Sequence, residues 1–315
     1  MARTPKVALL VETSRGFGRA LLRGIVRYAR LHGPWSFYIT PGDFSQALPR
    51  MREWGGTGII ARIETPEVAR AIVASGLPTI ALDLTDEQRR PGSPLAKFSE
   101  VASDSAAAAT MAAEHLLDRG FRHLAFVGLA DRVWSQRREE AFQARVCRAG
   151  FEPHLYRPPR SQRGRQWDRE QPVLADWLEG LPRPVGLMAC NDDRGREVLE
   201  ACRAARLKVP EDIAVIGVDD DELLCELADP PLSSVALNAE AGGYRVAELL
   251  DGLMHRRVRG SRRLLVEPLH VVTRRSTDIV ALDDPEVAAA LHFLHDHANE
   301  PIGVADVVRE VLISR

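Results

Sequence analysis

The stretch PVGLMACNDDRGREVLEACRAARLKVPEDIAVIGVDDD, residues 184–221, contains the pattern that decides the fold. Two short apolar runs, PVGLMAC and IAVIGVDD, enclose a helical window that begins near Asp192. Buried strands separated by a helix of about 10–15 residues are typical of a parallel sheet with helices on both faces. The stretch therefore predicts one strand, helix and strand unit of an α/β protein.

The same alternation extends over most of the 315-residue chain. KVALLV (6–11) predicts a buried strand, and the residues after it place Phe17, Leu21, Ile25 and Tyr28 on one stripe of a helix. Further strands are predicted at WSFYI (35–39), TGIIARI (57–63), PTIALD (78–83), HLAFVGL (123–129) and SSVAL (233–237), and further helices after Pro66 and near Asp104, Ser135 and Gln166. One set of strands ends near Asp104 and another begins at His123, which indicates two α/β lobes.

The segments after both sets of strands are expected to cross between the lobes. They are the helix AEAGGYRVAELLDGLMHR (239–256) and the run RRLLVEPLHVVTRRST (262–277). We predict a two-lobe core over residues 1–277, with lobe 1 at about 6–105 plus 236–261 and lobe 2 at about 106–235 plus 262–277. Ligands of such sheets bind outside the carboxyl ends of the strands, so a ligand would lie in the cleft between lobes that close by hinge motion.

The last segment, residues 278–315, changes character and contains no further predicted strand. DPEVAAALHFLHDHANEPIG predicts a helix with Val287, Leu291, Leu294 and Ala298 on one face, capped by Asp283 or Asp284. VADVVREVL (304–312) predicts a second, shorter helix. Two short helices across a tight turn are the opening of a helix-turn-helix, and we expect this all-α unit to be incomplete.

Composition excludes several classes of protein. The 42 basic and 44 acidic residues give a formal charge of −2, and no apolar run approaches the roughly 20 residues of a membrane span. The four cysteines show no metal-ligand spacing, so reduced thiols in a cytoplasmic protein without a metal are expected. No G-x-S-x-G, HExxH or Walker motif occurs, and SRGFGR (14–19) has only two of the three glycines of a dinucleotide loop. We therefore predict no catalytic residue and no cofactor.

Polar residues follow several predicted strands, where a cleft would lie. They are Asp104, Trp134, Arg138, Asn191, Asp192 and Asp219 to Asp221. A helix cap is the structural alternative for Asp104, Asn191 and Asp192, and a solvated helix arginine is the alternative for Arg138. Together, carboxylates, a carboxamide, a guanidinium group and an aromatic face are the groups that a sugar needs.

A basic stretch from Arg245 to Arg275 contains eight arginines against Glu248, Asp251 and Glu267. A nucleic-acid patch is one interpretation of this stretch. Solvated faces and strand ends are the interpretation that the flanking apolar pattern favours.

Several of these segments resemble a known family. KVALLVETSRGFGRALLRGIVRYAR, VASDSAAAATMAAEHLLDRGFRHLAFVG, WSQRREEAF, ACNDDRGREVLEACRAARLKVPEDIAVIGVDDDEL and PPLSSV resemble the lac-repressor-type, periplasmic-binding-protein-like fold. Residues 271–315 are similar to the linker and opening of an AraC-type DNA-binding domain. A sugar-binding core followed by an AraC-type domain is the module order of a family of sugar-responsive transcription regulators.

The resemblance implies a site, partners and a location. The implied effector contacts are Asp104, Arg138, Asn191 and Asp219, with Phe17, Gly18 and Arg19 closing the cleft and Trp134 and Asp220 as further wall residues. The implied partners are D-xylose or a related pentose, a second copy in a homodimer, and operator DNA through a complete C-terminal domain, with no membrane. An AraC-type domain has two helix-turn-helix units, so the DNA-reading part of this chain is expected to be incomplete. The alternatives are a solute-binding protein of a sugar transporter and a carbohydrate-active hydrolase.

Overall fold

Two six-stranded sheets form the framework of the computed structural model, and each sheet is the centre of one lobe. The structure describes residues 4–39, 48–158, 167–279, 287, 290, 293, 294, 297 and 301–310. Within that part of the chain, no helix is long and apolar enough to cross a membrane.

The first sheet is parallel throughout and has the order β11-β5-β4-β3-β1-β2. Its strands are β1 (Lys6–Leu10), β2 (Ser36–Ile39), β3 (Gly58–Arg62), β4 (Thr79–Leu82), β5 (Ser99–Ser103) and β11 (Arg263–Val266). Its helices are α1 (Gly16–His32), α2 (Met51–Trp54), α3 (Pro66–Ser75), α4 (Asp86–Arg89) and α10 (Ala239–Met254). Glycines let α1 and α10 pack backbone to backbone, since a Cβ atom on Gly24 would lie 1.9 Å from the carbonyl oxygen of Glu240.

The second sheet has the order β12-β10-β9-β8-β6-β7 and is parallel except at its edge, where β12 runs antiparallel to β10. Its strands are β6 (His123–Val127), β7 (His154–Leu155), β8 (Val185–Ala189), β9 (Ile213–Asp219), β10 (Ser233–Leu237) and β12 (Pro268–Val272). Its helices are α5 (Ser105–Asp118), α6 (Val133–Arg148), α7 (Trp167–Glu179), α8 (Asp192–Ala204) and α9 (Glu222–Leu227). The predicted α/β architecture with two lobes is confirmed.

The chain crosses between the sheets three times, and two of these crossings differ from the prediction. Ala236 and Leu237 end β10 in the second sheet, although lobe 1 was expected to resume at residue 236. Arg263–Val266 forms β11 in the first sheet, although residues 262–277 were assigned to lobe 2. The apolar run is continuous in sequence, so its pattern does not reveal that the crossing lies at Glu267, between two strands of different sheets.

The C-terminal segment is described only in part. The predicted second helix is present as α11 (Val304–Glu310). Of the predicted first helix, Val287, Ala290, Phe293 and Leu294 are helical. The proposed caps Asp283 and Asp284, with Leu291, Ala298 and residues 311–315, lie outside the described residues.

Candidate functional site

Arg138, in the second turn of α6, lies where the two lobes meet. It is 2% exposed and donates hydrogen bonds to the backbone oxygen of Cys190, to Asp219 Oδ1 at 3.2 Å and to Ser103 Oγ at 3.4 Å. Cys190 and Asp219 stand at strand ends of the second sheet, whereas Ser103 ends β5 of the first. The guanidinium carbon lies 5.1 Å from the centre of the Trp134 ring. The structure therefore brings the predicted residues Arg138, Trp134 and Asp219 together at the strand ends.

Asp219 has a strained backbone and a half-buried carboxyl group. Its φ angle is +112°, and that of Asp220 is +49°, a region that residues other than glycine rarely adopt. Strain of this kind concentrates at ligand sites. Burial raises the pKa of Asp219 to about 6, although the Arg138 guanidinium group acts against this rise. The ionised carboxylate is thus short of hydrogen-bond donors, which a polar ligand can supply.

A second carboxyl group, that of Asp192 in the first turn of α8, is buried. It accepts hydrogen bonds from Ser234 Oγ at 2.5 Å and from the backbone nitrogen of Asp221 at 2.8 Å. Burial, and then the charge of Asp219, raise the pKa of Asp192 well above its ordinary value. The charge of Asp219 therefore disfavours ionisation of Asp192.

Asp220 has a different orientation. Its carboxylate accepts a hydrogen bond from Arg274 Nη1 at 2.9 Å, and its backbone nitrogen donates to Ser234 Oγ at 3.0 Å. The Asp220 side chain is thus directed to Arg274 and not to Arg138.

Asp104 and Asn191 are helix caps at the two strand ends that flank Arg138. Asp104 Oδ1 accepts from the backbone nitrogen of Ala107 at 3.0 Å, and Asn191 Oδ1 accepts from that of Arg194 at 3.1 Å. The capping alternative is therefore correct for both residues. It does not remove them from the site, because Ser103 and Cys190, their neighbours in sequence, both accept hydrogen bonds from Arg138.

Sequence reasoning missed a polar cluster at the strand ends of the first lobe. Arg62, which ends β3, donates to Glu12 at 2.9 and 3.1 Å and to Asp83 at 2.6 Å. Asp83 has a φ angle of +49°, and its Oδ1 atom is buried without a hydrogen-bond partner among the described residues. Each of the three residues ends or follows an apolar strand. They therefore carry the same sequence signal as Asp104, which is a polar residue at the end of a predicted strand.

Ion pairs join the lobes on both sides of the sheets. Arg19 donates two hydrogen bonds to Asp221, at 2.7 and 2.9 Å, and Arg15 lies 2.6 Å from Asp193. Across the other faces, Arg132 of the second lobe lies 2.7 Å from Glu64 of the first. These arginines and carboxylates hold the strand ends of the two sheets opposite each other.

The three residues that were expected to close the cleft, Phe17, Gly18 and Arg19, differ in what they contact. Arg19 crosses to the second lobe, as described above. Phe17 is 8% exposed and belongs to the apolar core. Gly18 permits close packing, because a Cβ atom there would lie 2.0 Å from the carbonyl oxygen of Glu12. The structure does not bring Phe17 and Gly18 into the group of polar side chains.

No group of three His, Cys, Asp or Glu residues in the described part of the chain is arranged to hold a metal ion.

Two known families match the chain in consecutive parts. Residues 6–103 match the XylR N-terminal domain, and residues 113–277 match the periplasmic binding protein-like domain. The xylose operon regulatory protein of Escherichia coli K12 is 31% identical over 98% of this chain and 79% of its own length. The protein of the same name from Haemophilus influenzae is 30% identical over 98% of this chain and 80% of its own length. A solved structure described as a xylose-binding transcription activator, xylR, has a TM-score of 0.78 and 30% identity, and the match covers all of this chain and 80% of the other.

Proposed function

The chain belongs to the family of xylose operon regulatory proteins, and on that premise we propose that it is a transcription regulator controlled by a small sugar. The sugar binds in the cleft between the lobes, and D-xylose or a related pentose is the proposed effector. The regulator acts in the cytoplasm as a homodimer and contacts operator DNA through the segment that begins at residue 278.

The observation that carries the sugar site is the pair of the buried Arg138 and the half-buried Asp219. Arg138 contacts strand ends of both sheets, so a ligand placed against it touches both lobes. A carboxylate accepts hydrogen bonds from vicinal hydroxyl groups, a guanidinium group donates to ring and hydroxyl oxygens, and the Trp134 ring can cover C–H groups. Asp104 and Asn191 supply further polar atoms on either side of this pair.

We assign different roles to the remaining predicted residues. Arg19 stabilises closure through Asp221 and is not required to touch the sugar. Asp220, Phe17 and Gly18 position the neighbouring backbone. Glu12, Arg62 and Asp83 form the wall of the first lobe, which adds acceptors and one guanidinium group that the sequence prediction lacked.

Helix α5 offers a path from the sugar to the C-terminal segment. It begins at the Asp104 cap beside the cleft, and its far end contacts Thr277, where the core ends. A sugar shifts an equilibrium only by as much as it prefers one conformation, so the proposed signal is a change in the relative position of the lobes. That change moves α5, and with it the start of the DNA-binding segment.

The transporter and hydrolase alternatives have less support. The named relatives are transcription regulators, and their matches extend over nearly the whole chain.

Calorimetric titration of the purified chain with D-xylose, L-arabinose, D-ribose, D-glucose and xylitol tests this proposal. We expect reversible binding of at least one pentose at one site per chain, without turnover. Arg138→Met should abolish the binding heat, whereas Arg148→Met, an exposed change on the same helix, should leave it intact. Binding of none of these compounds would contradict the proposed function, and turnover of a sugar would favour the hydrolase.

A further inference from the structure

We infer that the loop between α10 and β11 is a docking surface for the phosphate backbone of duplex DNA. This loop, residues 255–263 and here named the arginine loop, has the sequence HRRVRGSRR. The inference rests on the proposed function, since a transcription regulator works in contact with DNA. It concerns a surface separate from the C-terminal segment.

The arginine loop concentrates positive charge that the rest of the chain does not have. It contains five arginines in nine residues, and no acidic residue occurs between Asp251 and Glu267. All five arginines are exposed. The whole chain has a formal charge of −2, so this density is local.

Protein carboxylates compensate only part of this charge. Arg257 contacts Asp251, and Arg263 Nε lies 3.1 Å from Glu100. Within the described residues, the guanidinium groups of Arg256, Arg259 and Arg262 form no ion pair. A solvated helix face typically interleaves both signs of charge, whereas this loop presents one sign only.

The loop lies at the end of lobe 1 that faces away from the sugar cleft. β11 runs parallel to β5, and β5 reaches the cleft with its carboxyl end at Ser103. The loop precedes β11, so it lies at the amino-terminal ends of the strands of the first sheet, opposite the cleft. DNA bound there does not compete with a sugar for space.

A cavity of about 400 Å³ beside the loop enlarges this polar surface. It is lined by Tyr28, His32, Asp251, His255 and Arg257. Asp251 accepts a hydrogen bond from Tyr28 Oη at 3.3 Å and contacts Arg257, so its charge is compensated inside the protein. The one carboxylate among these lining residues therefore does not repel an anion as a free charge would.

Duplex DNA is the polyanion that fits this arrangement. It carries one negative charge per about 1.7 Å of helix axis, and guanidinium groups bind phosphates in a fork geometry. The seven residues from Arg256 to Arg262 form turns and bends at the surface, and their exposed guanidinium groups can contact neighbouring phosphates. The contact reads no base sequence, because it lacks an element that enters a groove.

The test is an anisotropy titration of a fluorescein-labelled duplex of arbitrary sequence at several salt concentrations. The variant Arg256→Ser, Arg259→Ser, Arg262→Ser removes the three uncompensated groups. Each lost phosphate contact lowers the slope of log affinity against log salt by about 0.9, so we expect a slope smaller by roughly 2 to 3 and, at low salt, an affinity at least about tenfold weaker. The control Arg148→Ser, Arg169→Ser, Arg183→Ser makes the same change of charge at exposed positions of the second lobe and should bind like the parent chain.

Three outcomes overturn the inference: no duplex binding by the parent chain, equal salt slopes for the arginine-loop and control variants, or preference for heparin or single-stranded RNA over the duplex. Calorimetric sugar binding by the same arginine-loop variant separates the two proposals. If the sugar binds and the duplex does not, the inference fails while the proposed function stands. If the duplex binds through the loop but no sugar binds, the proposed effector is wrong.

Discussion

Asp219 is the residue on which the proposed sugar site depends most. Its backbone is held at a positive φ angle, its side chain is 19% exposed, and among the described residues its side-chain donor is Arg138 at 3.2 Å. A carboxylate in this setting loses hydrogen bonds to water, and the protein replaces few of them. Hydroxyl groups of a sugar would replace the missing donors.

Asp219→Asn should weaken sugar binding by about ten- to a hundredfold. Hydrogen bonds to a charged group contribute roughly 1.5–3 kcal/mol, and the amide keeps the shape of the side chain while removing its charge. Calorimetric titration measures the change. Asp229→Asn, at an exposed position of the same lobe, is the control and should bind like the parent chain. Equal affinities for the two variants would remove Asp219 from the site.

The raised pKa of Asp219 predicts stronger sugar binding as pH rises from 5 to 7.5. In the empty protein the group is protonated below about pH 6, and hydroxyl donors favour the ionised form, so binding releases protons in this range. The stability of the empty protein changes in the opposite direction. The contribution of this group to the free energy of unfolding is full below its unfolded pKa near 4 and is lost as pH rises through about 6.

Titrations in two buffers that differ in ionisation enthalpy measure the released protons directly. The heat should depend on the buffer for the parent chain near pH 6 and much less for Asp219→Asn. A pH-independent affinity of the parent chain would show that the carboxyl group does not meet the sugar in its ionised form.

Helix α5 links the cleft to the end of the core. His115 Nδ1 accepts from Arg119 Nη1 at 3.1 Å, so its Nε2 atom donates to Thr277 Oγ1 at 2.8 Å. Arg119 Nε also donates to the backbone oxygen of Thr277 at 2.8 Å. Burial, and then the charge of Arg119, lower the pKa of His115 to about 4, so the ring is neutral in the cell. The last residues of the core are thereby fixed to one helix.

Arg119→Met should loosen this junction without changing sugar affinity. The substitution keeps the apolar stem and removes the donor to Thr277, so local opening around residues 273–279 becomes more frequent. A timed tryptic digest followed by mass spectrometry should show faster cleavage after Arg275, which is exposed. Arg148→Met, a matched change at an exposed position of the same lobe, should not alter the rate. Unchanged cleavage in Arg119→Met would mean that this contact does not hold the junction.

Some strands and helices were predictable from the sequence, whereas the pairing of strands into sheets was not. The strand at KVALLV and the unit over residues 184–221 were predictable because burial on both faces leaves continuous apolar runs. The membership of β11 and β12 in different sheets was not, since strand patterns are local and pairing partners are not. The same limit applies to the site: Arg138 was found from its position, but its hydrogen bond to Ser103 of the first lobe depends on how the lobes meet.

For the whole molecule, ion pairs between the lobes hold the strand ends of the two sheets together. Arg19–Asp221 and Arg15–Asp193 join the lobes on one side, and Arg132–Glu64 joins them on the other. Pairs of this kind, partly exposed to solvent, are individually weak and screened by salt. A bound sugar that contacts both lobes is therefore the interaction that would decide the position of the equilibrium.

Hydrogen–deuterium exchange with and without saturating D-xylose tests that claim most directly. We expect protection in both lobes at once, at the strand ends: residues 10–19 and 100–106 of the first lobe, and residues 189–193 and 217–222 of the second. The distal edges, including residues 255–263, should exchange as before. Protection confined to one lobe, protection away from the strand ends, or no protection by D-xylose or another pentose would contradict the account.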